Sequence, residues 1–211
     1  MIDLTRCQRL IVFGGTFDPP HVAHVRLPLE VMRAIHADAV AYVPAARQPL
    51  KAGHGVSAPE HRLAMLRLAL AEAPYAAILT DELERGSDKP SYTVDTLEAL
   101  RDRLGPTVEM RLLIGADQLR LFHKWRAVER VIELAEPAVM VRPPDTRDTL
   151  LDALPNGFDR SAWAARLVEV PPMDVSATQI RERVGAGKPI DDMVCPAVAA
   201  YIAKHRLYLA S

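Results

Sequence analysis

The chain has 211 residues, 49% of them hydrophobic and 25% charged, a balance that suits one large domain with a buried core and excludes disorder as the dominant state. Lys and Arg total 26 against 27 for Asp and Glu, a formal charge of −1, so no basic surplus is present to grip a polynucleotide and a nucleic-acid partner is not expected. Aromatics make up only 5%, so the core must come mainly from Leu, Val, Ile and Ala.

The run Leu10-Ile11-Val12-Phe13 stops at Gly14-Gly15, which predicts a buried strand ending in a tight loop, with a helix following near His21. Residues 39–43 repeat the strand pattern. Residues 44–56, rich in Pro, Gly and polar side chains, read as a long loop and a candidate lid. Ser57-Ala58-Pro59-Glu60 predicts a capping box for a helix through Ala73, with Leu63, Leu66 and Leu70 on its buried face. A third strand is expected over 76–80, and a third helix over 93–104, stopped by Gly105-Pro106. Residues 108–114 predict a fourth strand, ended by Gly115, and a helical stretch leads to a fifth at 138–141, closed by Arg142-Pro143-Pro144. Beyond Pro144 the pattern is mainly helical, with one short strand candidate at 168–170.

This alternation predicts an α/β fold built on a doubly wound parallel sheet with right-handed crossovers and a mainly helical C-terminal part over about 145–211. No linker-like composition separates that part, so residues 1–211 are expected to form a single domain. The two cysteines, Cys7 and Cys195, form no C-x-x-C pair. No stretch approaches the ~18 apolar residues of a membrane span, and the run at 10–13 is too short for a signal-peptide core. A cytoplasmic protein without a membrane partner is expected.

The most informative stretch is Gly14-Gly15-Thr16-Phe17-Asp18-Pro19-Pro20-His21-Val22-Ala23-His24. In an open parallel sheet ligands bind outside the carboxyl ends of the strands, where this loop is expected. Its glycines let backbone approach a ligand, and the amides of the following helix start favour an anion, phosphate above all. His21 and His24, at i and i+3, present both imidazoles to one side. The plainer reading is two half-buried polar residues at a helix start. Metal ligation is not expected, because no Glu follows His21 as in H-E-x-x-H. Other phosphate loops fail as well: the glycines do not make G-x-G-x-x-G, and Gly187-Lys188 is followed by Pro189.

The loop resembles the G-G-T-F-D-P-x-H-x-G-H segment of the nucleotidyltransferases that share a Rossmann-like fold. Within that superfamily the chain resembles the bacterial nicotinate-nucleotide adenylyltransferases through Pro90-Ser91-Tyr92-Thr93-Val94-Asp95-Thr96-Leu97, Ile114-Gly115-Ala116-Asp117, Lys124-Trp125 and Val175-Ser176-Ala177-Thr178-Gln179-Ile180-Arg181. These blocks run in family order across nearly the whole chain. The resemblance implies transfer of the adenylyl group of ATP to nicotinate mononucleotide, giving nicotinate adenine dinucleotide and pyrophosphate. It implies Mg²⁺ carried with ATP, with no tightly bound organic cofactor. The nearest enzyme alternative, phosphopantetheine adenylyltransferase, is typically shorter and lacks the Pro90-Ser91-Tyr92-Thr93 block. An alternative of another class is a non-catalytic nucleotide-binding regulatory protein, against which His21, His24 and Arg181 argue. A homo-oligomer is compatible with the sequence.

By the same resemblance, His21, His24 and Arg181 are the catalytic candidates, with His24 set against transition-state charge and Arg181 reaching the β- and γ-phosphates. Gly15, Thr16, Phe17, Lys51, Arg142, Ser176 and Thr178 are expected around ATP, with Thr16 and Phe17 offering amides. Alone, the 176–181 segment reads as an ordinary helix cap with a solvated Arg, and Arg142 as half of a surface salt bridge. Tyr92, Thr93, Asp117 and Trp125 are expected around the mononucleotide: Asp117 on a ribose or else an N-cap, Thr93 on the pyridine carboxylate or else a cap, the two aromatics at the ring or else core. Asp18 is expected to brace the loop through local backbone bonds. Three departures from the family pattern stand out. Ala23 replaces a Gly and could crowd the nucleotide, Pro49-Leu50-Lys51 keeps a lysine but lacks the histidine before it, and Arg126 follows Trp125 where an aromatic is common, adding a charge that would attract the carboxylate.

Overall fold

A computed structural model describes residues 2–46, 56–85 and 92–209. In chain order the elements are β1 (Arg9–Gly15), α1 (Val22–Ala34), β2 (Ala39–Pro44), α2 (Pro59–Ala69), β3 (Ala76–Ile78), α3 (Asp81–Glu84), α4 (Thr93–Leu104), β4 (Glu109–Gly115), α5 (Ala116–Leu121), α6 (Val128–Leu134), β5 (Glu136–Val141), α7 (Arg147–Asp152), α8 (Arg160–Ala164), β6 (Leu167–Glu169), α9 (Ala177–Gly185) and α10 (Pro196–Lys204). Short 3₁₀ turns occupy Leu4–Arg6 and Phe122–Lys124.

The six strands form one sheet in the order β3-β2-β1-β4-β5-β6, every neighbouring pair parallel. Because side chains alternate across a strand, the central strands feed two cores. Leu10 and Val12 of β1, with Leu112 of β4, meet Leu97 of α4 and Val131 of α6 on one face. Ile11 and Phe13, with Leu113, meet Leu27 of α1, Leu66 of α2, Ile180 of α9 and Val198 of α10 on the other. The C-terminal part thus returns to the sheet twice, β6 extending its edge beside β5 and α9 and α10 covering the α1 face.

Helix α4 begins at Thr93 and stops at Gly105, which takes φ +79 at the C-terminal cap, the conformation glycine adopts without strain. The expectation for α2 is corrected. Its N-cap is Ala58, with no side-chain cap bond, so the Ser57 to Glu60 capping box does not form. Leu66 and Leu70 of the expected face are buried while Leu63 is only half-buried, and Arg62 and Met65 join them on the core side, an arginine there being invisible to a pattern of apolar residues. Strand β5 starts two residues earlier than expected and includes Pro137. Proline is tolerated there because β6 first pairs with β5 at Val139, so its missing N–H costs no ladder bond on that side. Among the described residues no helix is long and apolar enough to cross a membrane.

Candidate active site

The order reverses at β1, from which β2 and β3 lie to one side and β4, β5 and β6 to the other. Pairing between β1 and β4 ends at Val12 with Leu112. Yet β1 stays on β2 as far as Gly15 with Pro44, and β4 stays on β5 as far as Gly115 with Met140. The C-terminal ends of β1 and β4 therefore splay and leave a crevice, the place where open α/β sheets bind ligands.

The loop after β1 builds one wall of it. A Cβ on Gly15 would lie 2.9 Å from the Phe17 ring, so this glycine is required by the protein's own packing. Phe17 turns back at φ +52, buried, with its ring 5.7 Å from Phe13 and 5.2 Å from His24, both edge-on. Gly14 faces open space. Thr16 is half-buried, its carbonyl accepting from Arg62 Nη1 at 2.9 Å.

His21 is the N-cap of α1 and His24 its third residue. Their rings stack with centroids 3.7 Å apart. The His21 backbone N–H donates to His24 Nδ1 at 3.2 Å, which assigns the neutral ring's proton to Nε2. His21 is buried, and this burial, assisted by the charge of Arg142, pushes its pKa down to about 4, so its ring is neutral at pH 7. Its Nδ1 has no hydrogen-bond partner among the described residues. Proline inside α1 completes the arrangement: Pro28 has no N–H for the carbonyl of His24, and Tyr42 on β2 donates its hydroxyl to that carbonyl at 3.0 Å. Ala23, whose extra methyl could have crowded a nucleotide, turns that methyl into the core and is 4% exposed.

Two cations brace the loop from outside. Arg62 is 1% exposed and donates to the carbonyls of Ser57 (3.1 Å), Thr16 (2.9 Å) and Ala45 (2.8 Å), joining the loop, the end of β2 and the start of α2. Arg181 on α9 donates to the Asp18 carbonyl at 2.7 Å and to Thr178 Oγ1 at 3.2 Å. The Asp18 carboxylate accepts from Ser57 N (3.0 Å) and from the Tyr208 hydroxyl (2.5 Å), partners 39 and 190 residues away. The expected brace is real, but it is long-range rather than local. Ser176 is the N-cap of α9, its hydroxyl accepting from Gln179 N and donating to Gln179 Oε1. The cap reading therefore describes Ser176, while Thr178 steers Arg181.

At the end of β4 the N-cap of α5 is Gly115, whose N–H is held by Gln118 Oε1 at 3.0 Å. Asp117, the second residue of α5, is exposed and is not the N-cap, and its carboxylate occupies the space a Cβ on Gly115 would need. Tyr92 is the N-cap of α4 and Thr93 its first residue, so the Thr93 amide is among those a helix start leaves without an intrahelical partner. Trp125 is half-buried against Phe122, whereas Trp163 is the tryptophan of the core. Arg126 lies over the Tyr92 ring at 4.7 Å, with Asp95 3.8 Å away. Arg142, at the end of β5, makes no ion pair among the described residues, so the surface salt bridge weighed for it is not formed there. Asp117 thus follows the end of β4, and the histidines follow the end of the neighbouring β1. Lys51 lies outside the described residues.

Residues 12–183 match the cytidylyltransferase-like family. A protein of Herpetosiphon aurantiacus named "Probable nicotinate-nucleotide adenylyltransferase" is 40% identical over 205 residues, 96% of this chain and 100% of that one. A Roseiflexus protein of the same name is 41% identical over 93% and 96% of the two chains. The chain belongs to this adenylyltransferase family. The Plasmodium falciparum nicotinic acid mononucleotide adenylyltransferase complexed with NaAD superposes with a TM-score of 0.72 at 19% identity, covering 95% of this chain and 97% of that one, a likeness of fold.

Three structural supports of the loop and of the start of α1 escape the sequence. Arg62 looks like any helix arginine, and only the surrounding burial reveals it. Tyr42 sits inside a strand whose apolar run explains it without function. Tyr208 is separated by 190 residues from the loop that it touches. The single legible hint was Pro28, a proline inside a helix that leaves a carbonyl in need of a donor.

Proposed function

We propose that the chain condenses MgATP with nicotinate mononucleotide at the β1/β4 crevice, yielding nicotinate adenine dinucleotide and pyrophosphate. A phosphate oxygen of the mononucleotide attacks the α-phosphorus, and a P–O bond forms there. The bond from that phosphorus to the bridging oxygen breaks, and its electron pair leaves on pyrophosphate. The attacking oxygen is already ionised at pH 7, so no general base is needed, and catalysis reduces to alignment and charge stabilisation.

The observation that carries this reading is the stacked His21–His24 pair at the start of α1, beside an Arg181 guanidinium that is held by a backbone carbonyl and a hydroxyl. His24 offers Nε2–H to the oxygens of the reacting phosphorus, while His21, held neutral, shapes its ring. Arg181, steered by Thr178, reaches the β- and γ-phosphates with the α9 amides, and Arg142 adds charge from β5. The amides of Thr16 and Phe17 close the loop side. Across the mouth, Asp117 accepts from ribose hydroxyls, Tyr92 and Trp125 flank the pyridine, and Thr93 reads its carboxylate. Among the described residues no three His, Cys, Asp or Glu side chains gather as a metal site, so we assign Mg²⁺ to the triphosphate as part of the substrate.

The test is pyrophosphate release with MgATP and, separately, nicotinate mononucleotide, nicotinamide mononucleotide and phosphopantetheine. Turnover is expected to favour the nicotinate form. Preference for another acceptor would overturn the substrate, and ATP binding without turnover would overturn the enzyme.

A further inference from the structure

Arg181 stands beside a competitor for its charge. Its Nη1 donates to the backbone carbonyl of Asp18 at 2.7 Å, yet no ion pair forms with the carboxylate of the same residue. Asp18 is 5% exposed, so its carboxylate oxygens must be satisfied by the protein. Ser57 N satisfies one, and the Tyr208 hydroxyl satisfies the other at 2.5 Å. Tyr208 follows α10 at φ +63, a left-handed conformation that costs a non-glycine residue roughly 1 kcal/mol, so packing holds it there against local preference. Its carbonyl approaches Gly185 at the end of α9 so closely that a Cβ there would lie 3.4 Å away. Burial, followed by the bond to Asp18, pushes the phenol pKa well above the ordinary tyrosine value, so the hydroxyl stays a donor throughout the neutral range.

We propose that Tyr208 is a positioning residue for adenylyl transfer: by occupying the Asp18 carboxylate, its hydroxyl keeps Arg181 from pairing with that carboxylate and leaves the guanidinium available to the triphosphate. The inference rests on the reading of Arg181 as a triphosphate ligand. Without the hydroxyl, Asp18 Oδ1 is a buried acceptor with an arginine next to it. Rotation of the guanidinium onto the carboxylate then satisfies both groups and withdraws the charge from ATP. If that withdrawn state holds ~90% of the molecules, apparent ATP affinity falls about tenfold.

ATP affinity is measured by calorimetric titration of Tyr208→Phe, Asp18→Asn, the double variant and Arg181→Ala, on protein whose folded fraction is established by its thermal transition. Tyr208→Phe is expected to raise the Kd for ATP roughly tenfold and to leave the KM for the mononucleotide at saturating ATP unchanged. Adding Asp18→Asn removes the competing charge and is expected to restore ATP affinity to within about twofold, a rescue that no general loosening of the fold produces. Asp18→Asn alone keeps an acceptor for Ser57 and is expected to stay within about twofold of wild type, an arm that remains readable should Tyr208→Phe fold poorly. An unchanged Kd in Tyr208→Phe, no rescue in the double variant, or a tenfold loss in Asp18→Asn alone overturns the proposal. If Arg181→Ala leaves the Kd unchanged, the triphosphate assignment is what fails. If Arg181→Ala weakens ATP and Tyr208→Phe does not, that assignment stands and the role of Tyr208 falls.

Discussion

At the N-terminal edge of the sheet, charges alternate across the strands: Arg9 of β1 pairs with Glu109 of β4 at 2.7 Å, Glu109 with Arg111 at 2.5 Å, Arg111 with Glu136 of β5, and Glu136 with Arg166 at 3.2 Å. At the C-terminal edge Arg62 and Arg181 donate instead to backbone carbonyls, and Arg142 has no ion pair among the described residues. A carbonyl satisfies a guanidinium's donors without cancelling its charge, whereas a carboxylate does both. One edge is therefore electrically closed and the other holds positive charge in reserve, which suits a triphosphate and a mononucleotide phosphate brought together.

The contrast can be broken most forcefully at Arg62. Arg62→Met removes the donors to three carbonyls at once and is expected to cost about 3–5 kcal/mol in urea unfolding. A loss below about 1 kcal/mol would place Arg62 with the surface ladder.

His21 sharpens it through pH. Its folded pKa of about 4 lies below the ordinary histidine value, so its contribution to stability is fully present above about pH 6.5. Between 6.5 and 4 the unfolded chain binds a proton that the folded chain refuses, and stability falls with pH by up to about 3 kcal/mol for this group. Urea titrations at pH 7 and 4.5 should show a larger drop for wild type than for His21→Gln, and equal drops would contradict the burial argument.

His24→Ala is expected to lower kcat by about 10²-fold or more with little change in Tm, as for the loss of one donor to transition-state charge. A collapsed Tm with unchanged kcat per folded molecule would make His24 structural. Arg126→Gln should reduce the preference for the acid over the amide mononucleotide, as a ratio of kcat/KM, by roughly tenfold, the scale of one charge-assisted hydrogen bond. An unaltered ratio would leave Arg126 as a partner of Tyr92 and Asp95 alone. Smallest of all, Glu109→Gln in the closed ladder should cost less than about 1 kcal/mol and leave kcat untouched, because exposed pairs contribute little.

Much of this architecture was readable in advance where the controlling physics is local. The boundaries of α4 follow from Thr93 and the Gly105-Pro106 stop, and β1 with its loop from four apolar residues meeting two glycines. The α2 helix starts where expected, at Pro59, but without the capping box, and Ser57 has a tertiary use instead: its N–H holds Asp18 and its carbonyl holds Arg62. That Phe17 fills the space beside Gly15 is likewise not legible, since a glycine in sequence does not say which side chain approaches it. Pro137 hid the start of β5 because its tolerance depends on where β6 begins.

By itself the sequence determined the alternation of strands and helices, the phosphate-type loop and the family, because periodicity, turn chemistry and motif order are properties of neighbouring residues. Only the tertiary structure decided which arginines are held by carbonyls rather than carboxylates, that His21 is neutral, and that a tyrosine 190 residues from the loop holds Asp18. Those outcomes depend on burial and on partners from distant segments, and a long-range hydrogen bond leaves no trace in the spacing of the residues that make it.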